Sequence, residues 1–98
     1  FQPHTYSRTI ALLPEFAKAL GNADVVILAE IYAAREVNTT GVSAEDISKL
    51  MDQSKVTSFY LPTFEEIEDY LRSHLEEGDL CITMGAGNVT DIGPKLVQ

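Results

Sequence analysis

The run Val25-Val26-Ile27-Leu28-Ala29 constrains the fold of this chain more than any other stretch. Its apolar residues are continuous rather than alternating, and several are β-branched, which is typical of a strand buried on both faces. Strands of that kind belong to parallel sheets, in which helices join successive strands. The run therefore predicts an α/β fold.

Two more segments have the composition of strands: residues 56–61, which end before Pro62, and residues 80–84, which end before Gly85. Proline and glycine are typical of the positions that follow a strand. Residues 1–2 are expected to be the end of a further strand that begins before the first residue.

Segments with helical periodicity alternate with these strands. The first contains Pro14, which predicts a kink or two short helices, and a later one begins with the capping-box spacing of Thr63 and Glu66. This alternation predicts a single domain over residues 1–98, a Rossmann-like three-layer sandwich with a mostly parallel sheet, helices on both faces and a truncated N-terminal strand. The helical positions expected to face the core are Ile10, Leu13, Phe16, Ala17, Leu20, Ile47, Leu50, Met51, Ile67, Tyr70 and Leu71.

Composition excludes several classes of function. The net charge of -8 argues against binding to nucleic acid or anionic membranes, because phosphate contacts need clustered Lys and Arg. The single Cys81 excludes an internal disulfide, and its apolar neighbours predict a buried, reduced thiol. His4 and His74 lack partners at the spacing of metal ligands, so no metal site is expected. No apolar stretch reaches the ~20 residues of a membrane-spanning helix, and we expect a cytoplasmic protein.

Three loops are candidates for a functional site, because ligands of parallel sheets bind beyond the carboxyl ends of the strands. They follow Gln2, Ile31 and Met84. The fold should bring them together at one edge of the sheet.

The first loop carries His4 and Arg8 close to the start of a helix. The helix dipole disfavours a cation there by roughly a few tenths of a kcal/mol, and a bound carboxylate or phosphate would reverse that effect. The same loop is also compatible with a solvated Arg8 and with Thr5 or Ser7 as the helix cap.

The second loop, residues 32–42, is longer than the roughly two to six residues that are usual for such connections. Arg35 and Glu36 offer both signs of charge, as a zwitterionic amino acid would require. The alternative is a surface ion pair between them, which would contribute little stability.

The third loop contains Gly85, Ala86 and Gly87. Two glycines let the backbone approach a ligand closely. Thr90 stands where a dinucleotide-binding motif has its third glycine, and the lysine of a phosphate-binding P-loop is absent. The alternative is a tight turn without a ligand, which a short glycine loop often forms.

Four stretches, taken in order, resemble the C-terminal domain of the Mur ligases: FQPHTYSRT, LLPEFAKAL, ADVVILAEIYAARE and ITMGAGNV. The resemblance covers essentially the whole chain. The first stretch is the most specific of the four, whereas MGAG alone would be a weak match.

The resemblance implies a ligase of three domains, of which this chain is the third. The other two would bind the UDP-sugar substrate and ATP with Mg²⁺. The reaction would activate a muramyl carboxylate as an acyl phosphate, which the amine of L-alanine attacks, in a cytoplasmic step of peptidoglycan synthesis. The third domain would swing in to bind L-alanine, although serine and glycine remain open, and the isolated chain would be inactive.

The resemblance also implies roles for individual residues. His4 and Arg8 match first-loop residues that face the amino acid and the reacting centre, and Arg8 would hold the alanine carboxylate. Arg35 and Glu36 match a loop of the family on the amino-acid side. Thr5 stands where many members have Arg, and no role is assigned to it. The residues expected to line the same crevice are Tyr32, Gly85, Ala86 and Gly87.

Two other functions fit the residues without the resemblance. One is a stand-alone flavodoxin-like module that binds a nucleotide or another phospho-ligand through the turn of Gly85 and Gly87. The other is an interaction domain whose loops bind no ligand. Binding of ATP to the chain itself would favour the first of these.

Overall fold

Two parallel strands, β1 (Val25–Leu28) and β2 (Thr57–Tyr60), form the sheet in the computed structural model, which describes residues 1–97. Parallel strands need a crossover connection, and the one between them contains helix α3 (Glu45–Leu50). The predicted α/β fold with a parallel sheet is therefore confirmed.

The first residues of the chain lie on the side of β1 that faces away from β2. The N-terminal ammonium of Phe1 donates a hydrogen bond of 2.7 Å to the Ile27 carbonyl, and the Ala29 amide donates one of 3.0 Å to the Phe1 carbonyl. An isolated parallel bridge then joins Gln2 to Gly85. Residues 1–2 therefore pair like the end of a strand, although no regular strand forms there.

The predicted strand at residues 80–84 does not form, and this prediction was wrong. Leu80 is 85% exposed, Ile82 is 63% exposed, and Cys81 is exposed rather than buried. The reason lies in the available partners: within residues 1–97, only Gln2 pairs with the end of this segment. A strand needs a neighbour along its length to satisfy its backbone groups.

Two short helices precede β1, in agreement with one of the two outcomes predicted from Pro14. They are α1 (Tyr6–Ala11) and α2 (Leu13–Leu20), with Leu12 between them. Pro14 occupies the second position of α2, where the missing amide hydrogen would have had no helical partner. The proline therefore starts the second helix rather than kinking a continuous one.

Helix α4 (Phe64–His74) begins as its capping box predicts. The Thr63 hydroxyl accepts a hydrogen bond of 3.2 Å from the Glu66 amide. After residues 80–84 the chain forms a 3-10 turn at Asn88–Asp91 and then α5 (Ile92–Leu96).

Two apolar clusters cover the two faces of the sheet. Because side chains alternate along a strand, Val26 and Leu28 face the first cluster, with α2 and α3, while Ile27 and Ala29 face the second, with α4 and α5. The prediction that Ile10 and Leu50 face the core is wrong, because Ile10 is exposed and Leu50 is 55% exposed. The buried members are Val26, Leu28, Ile31, Val42, Ala44, Ile47, Met51 and Val56 in the first cluster, and Ala29, Ile67, Leu71, Val89 and Ile92 in the second.

No helix within residues 1–97 is both long enough and apolar enough to cross a membrane.

Candidate functional site

The three candidate loops meet at Tyr32, as predicted from the positions of the strand ends. The Thr5 amide donates a hydrogen bond of 2.7 Å to the Tyr32 carbonyl, and the Tyr32 amide donates one of 2.9 Å to the Pro3 carbonyl. The rings of His4 and Tyr32 stack, with centroids 5.5 Å apart and planes inclined by 16°. The first and second loops are thus joined through both backbone and side chains.

The glycines of the third loop allow close packing against the first two. A Cβ on Gly87 would lie 2.9 Å from the Tyr32 ring and 2.9 Å from Oε1 of Gln2. A Cβ on Gly85 would lie 2.9 Å from the Gln2 carbonyl oxygen and 2.7 Å from a methyl group of Val89. A Cβ this close would force neighbouring atoms to shift, so contacts within the chain itself explain both glycines.

Thr5 forms the corner between the first loop and α1. It has a positive φ of 65°, which is unusual for a β-branched residue. Its hydroxyl accepts a hydrogen bond of 3.3 Å from the Arg8 amide, and its carbonyl accepts one of 2.7 Å from the Thr9 hydroxyl. Of the two caps that the sequence allowed, Thr5 is therefore the one that caps α1.

Glu36 contacts the first loop rather than Arg35. One of its carboxylate oxygens accepts a hydrogen bond of 3.0 Å from the Ser7 amide, and the other accepts one of 2.5 Å from the Ser7 hydroxyl. The Ser7 hydroxyl, and then the Ser7 amide, hold the pKa of Glu36 below its ordinary value. The alternative of a surface ion pair between Arg35 and Glu36 is not observed in residues 1–97.

The turn before Glu36 has an unfavourable backbone conformation. Ala34 and Arg35 have positive φ values of 50° and 72°, and the Glu36 amide donates a hydrogen bond of 3.0 Å to the Ala33 carbonyl. Two consecutive positive φ values are those of a type I′ turn, which favours Gly and Asn. Each such residue costs on the order of 1–3 kcal/mol, and conformations of this kind cluster at functional sites.

Arg8 and Arg35 are both exposed, and neither forms an ion pair with an acidic side chain of residues 1–97. Arg8 follows Ser7 in the chain, and Arg35 precedes Glu36. Because Ser7 and Glu36 are in contact, the two arginines project from neighbouring stretches of backbone. We call the surface formed by Arg8 and Arg35 the rim. The rim can offer two guanidinium groups to an anion.

A hollow of about 620 Å³ lies between the end of β1 and the start of α4, and Tyr32 and Ala33 of the second loop form part of its lining. Of the residues predicted for the site, Tyr32 lines this hollow. The predicted site residues that do not line it are His4, Arg8, Arg35, Glu36, Gly85, Ala86 and Gly87.

Glu30 also lines this hollow, and the sequence did not single it out as a site residue. Its carboxylate accepts hydrogen bonds from the Tyr60 hydroxyl, from the Ile31 amide at 2.8 Å and from the Ala44 amide at 3.4 Å. The hydrogen bond to Glu30 raises the pKa of Tyr60. A carboxylate directly after a buried strand was the signal that could have revealed it.

Two buried polar atoms near the start of the chain lack a hydrogen-bond partner among residues 1–97. They are Oε1 of Gln2, a residue that is only 7% exposed, and Nδ1 of His4. No group of three His, Cys, Asp or Glu side chains in the same part of the chain is placed to hold a metal ion.

Comparison with known proteins identifies the family, although no family model matches the chain. The chain is 57% identical to a UDP-N-acetylmuramate–L-alanine ligase of Agathobacter rectalis, 49% identical to one of Lachnospira eligens and 46% identical to one of Caldanaerobacter subterraneus. Each match covers 100% of this chain but 21% of the relative. The chain therefore belongs to the Mur ligase family, and it corresponds to about a fifth of a UDP-N-acetylmuramate–L-alanine ligase.

Proposed function

We propose that this chain is the C-terminal, amino-acid-binding domain of a ligase that joins L-alanine to UDP-N-acetylmuramate. The names of its relatives support this reaction. The structural observation that best supports the proposal is the rim formed by Arg8 and Arg35. Two guanidinium groups that form no ion pair within residues 1–97 lie on loops that are held together at Tyr32 and at Ser7. A small carboxylate is a suitable ligand for such a rim.

Within this proposal Arg8 holds the alanine carboxylate, because a planar guanidinium can donate two parallel hydrogen bonds to it. Arg35 supplies a second cation on the opposite loop. His4 lies on the same loop as Arg8 and stacks on Tyr32, and Glu36 completes the amino-acid side of the site. Gly85, Ala86 and Gly87 form the adjoining wall of the crevice.

The remaining parts of the reaction are assigned to the other domains of the longer protein. ATP and Mg²⁺ would supply the activation of the muramyl carboxylate as an acyl phosphate. Residues 1–97 do not fit either group, because they contain no cluster of metal ligands and no P-loop lysine follows Gly87. We therefore assign no catalytic residue to this chain and expect the chain alone to be inactive. From the family resemblance, we also propose that the full enzyme acts in the cytoplasm.

The finer fold assignment rests on a gap beside β1. Phe1 pairs with β1 while Gln2 pairs with residues 84–85, so the space before Phe1 is one strand wide. This gap of about 630 Å³ is lined by Val25 and Ile27 on one side and residues 79–83 on the other. We propose that residues preceding Phe1 fill it as a strand, which would complete a Rossmann-like sheet with helices on both faces.

Hydrogen exchange tests this fold assignment. The chain is compared with a version extended by the roughly seven residues that precede Phe1 in the longer protein, enough for one strand. We expect the amides of Ile27 and of residues 80–83 to become protected in the extended version only. Unchanged exchange at both places would contradict the proposed strand.

The function is tested by Arg8→Ala in the full-length ligase, with Lys18→Ala as the control. Lys18 is an exposed cation of α2 outside the rim, so its removal changes charge alone. Loss of a charged hydrogen bond should raise KM for L-alanine by roughly 10- to 100-fold, while KM for the two other substrates changes little. An unchanged KM for L-alanine in Arg8→Ala would refute the assignment.

The stand-alone nucleotide-binding module is less well supported. Its main evidence was the glycine turn, and both glycines already pack against Gln2 and Tyr32. Titration of ATP into the chain distinguishes the two functions: the ligase domain should not bind ATP by itself, and tight binding would favour the module.

A further inference from the structure

The contact between Ser7 and Glu36 joins two loops that are far apart in the chain. One carboxylate accepts hydrogen bonds from both donors of a single residue, the Ser7 amide at 3.0 Å and the Ser7 hydroxyl at 2.5 Å. A two-point contact fixes orientation as well as distance, because neither oxygen can move without losing its own partner.

A second contact prevents the first loop from turning about this one. The Thr5 amide is bonded to the Tyr32 carbonyl at 2.7 Å, two residues before Ser7. The loops are therefore joined at two successive points, Thr5 to Tyr32 and Ser7 to Glu36. Arg8 directly follows Ser7, the second of these two points, in the first loop.

Arg35 lies directly before the same point on the other loop, within the turn of two positive φ values. A turn of this kind tends to relax unless its surroundings hold it. Within residues 1–97, the contact between Glu36 and Ser7 holds the end of this turn against the first loop. The same contact thus constrains the backbone at both arginines.

We propose that Ser7 and Glu36 are a pair of positioning residues that set the separation of Arg8 and Arg35, and that Glu36 acts through Ser7 rather than by binding the amino acid itself. This inference rests on the proposed function and refines the role of Glu36 within it. Both carboxylate oxygens are already hydrogen-bonded to Ser7, so an ammonium group would have to compete with two donors.

The test uses four variants of the full-length ligase: Ser7→Ala, Glu36→Ala, the double variant and Ser7→Thr. The matched control is Glu45→Ala, which removes an exposed carboxylate on α3 away from the rim. Each single variant should raise KM for L-alanine roughly tenfold, with kcat and the KM values of the other substrates little changed. Ser7→Thr keeps the hydroxyl and should restore a value near that of the unaltered enzyme.

The double variant and Ser7→Ala together decide between positioning and direct binding. Since Glu36→Ala removes the whole contact, adding Ser7→Ala to it should raise KM no further. If Glu36 binds the amino acid directly, Glu36→Ala will raise KM while Ser7→Ala has little effect, which would overturn the inference. Should Arg8→Ala raise KM while Ser7→Ala and Glu36→Ala do not, the positioning pair fails and the proposed function survives. An unchanged KM in Arg8→Ala refutes the function itself.

Discussion

His4 and Tyr32 stack ring on ring across two loops, with centroids 5.5 Å apart. Nδ1 of His4 is buried without a partner among residues 1–97, so stacking rather than a side-chain hydrogen bond orients this ring. Gly87 approaches the same tyrosine closely. Tyr32 therefore contacts both the first and the third loop.

Gly87→Ala should destabilise the chain by about 1–3 kcal/mol, because the added methyl group overlaps the Tyr32 ring and the Gln2 side chain. Gly93→Ala is the matched control, since a Cβ there meets no atom within 4 Å outside its two chain neighbours. Gly93 precedes Pro94 in α5, and proline disfavours the helical conformation of a preceding residue that has a Cβ. This control should therefore change the free energy of unfolding by less than about 1 kcal/mol. Urea unfolding measures both, and equal stabilities for the two variants would contradict the close packing at Tyr32.

Arg35→Gly and Ala34→Gly should each stabilise the chain, by roughly 0.5–1 kcal/mol, because glycine adopts a positive φ without strain. Only Arg35→Gly removes a guanidinium group from the rim. In the full-length ligase it should raise KM for L-alanine, while Ala34→Gly leaves it unchanged. A loss of stability in both variants would show that the turn is not strained.

The N-terminal ammonium of Phe1 predicts a pH dependence for the 98-residue chain. Burial lowers its pKa below the ordinary value of roughly 8. Between the lowered folded value and the unfolded value, the folded chain binds fewer protons than the unfolded chain. The free energy of unfolding should therefore rise with pH through this window.

Acetylation of the N-terminus supplies the control for that effect, because it removes the titrating amine. Urea unfolding at about pH 6 and at about pH 8.5 should show a larger gain for the free chain than for the acetylated chain. The difference between them separates Phe1 from other groups that titrate in this range. Equal gains would mean that the ammonium is not buried in solution.

Cys81 should react with a thiol reagent in the folded chain almost as fast as in urea, because it is exposed and lines the gap beside β1. In the version extended by the residues before Phe1, a strand in the gap should slow the reaction by at least roughly tenfold. A rate that the extension leaves unchanged would count against the proposed strand.

Local sequence patterns predicted the parts of this fold that depend on short-range physics. The apolar run at β1 predicted a buried parallel strand, Pro14 predicted the division into α1 and α2, and Thr63 predicted the start of α4. The convergence of three loops followed from the rule that parallel strands end at the same edge. These features need only periodicity, capping and the polarity of the sheet.

Contacts between distant residues were not predictable in the same way. No local pattern indicates that Ser7 hydrogen-bonds to Glu36 or that Tyr60 hydrogen-bonds to Glu30. The role of Thr5 depends on a positive φ, which its residue type does not favour. Cys81 was expected to be buried because its neighbours are apolar, but apolar residues form a strand only where a partner lies beside them.

The gap beside β1 also has a consequence for how copies of the chain behave together. Residues 80–84 present exposed apolar side chains, including Leu80, Ile82 and Met84, across the gap from β1. Within residues 1–97, no strand pairs with β1 on that side. An open edge of this composition is a template for a strand from a second molecule. The isolated chain should therefore self-associate as its concentration rises, and a strand in the gap should keep it monomeric.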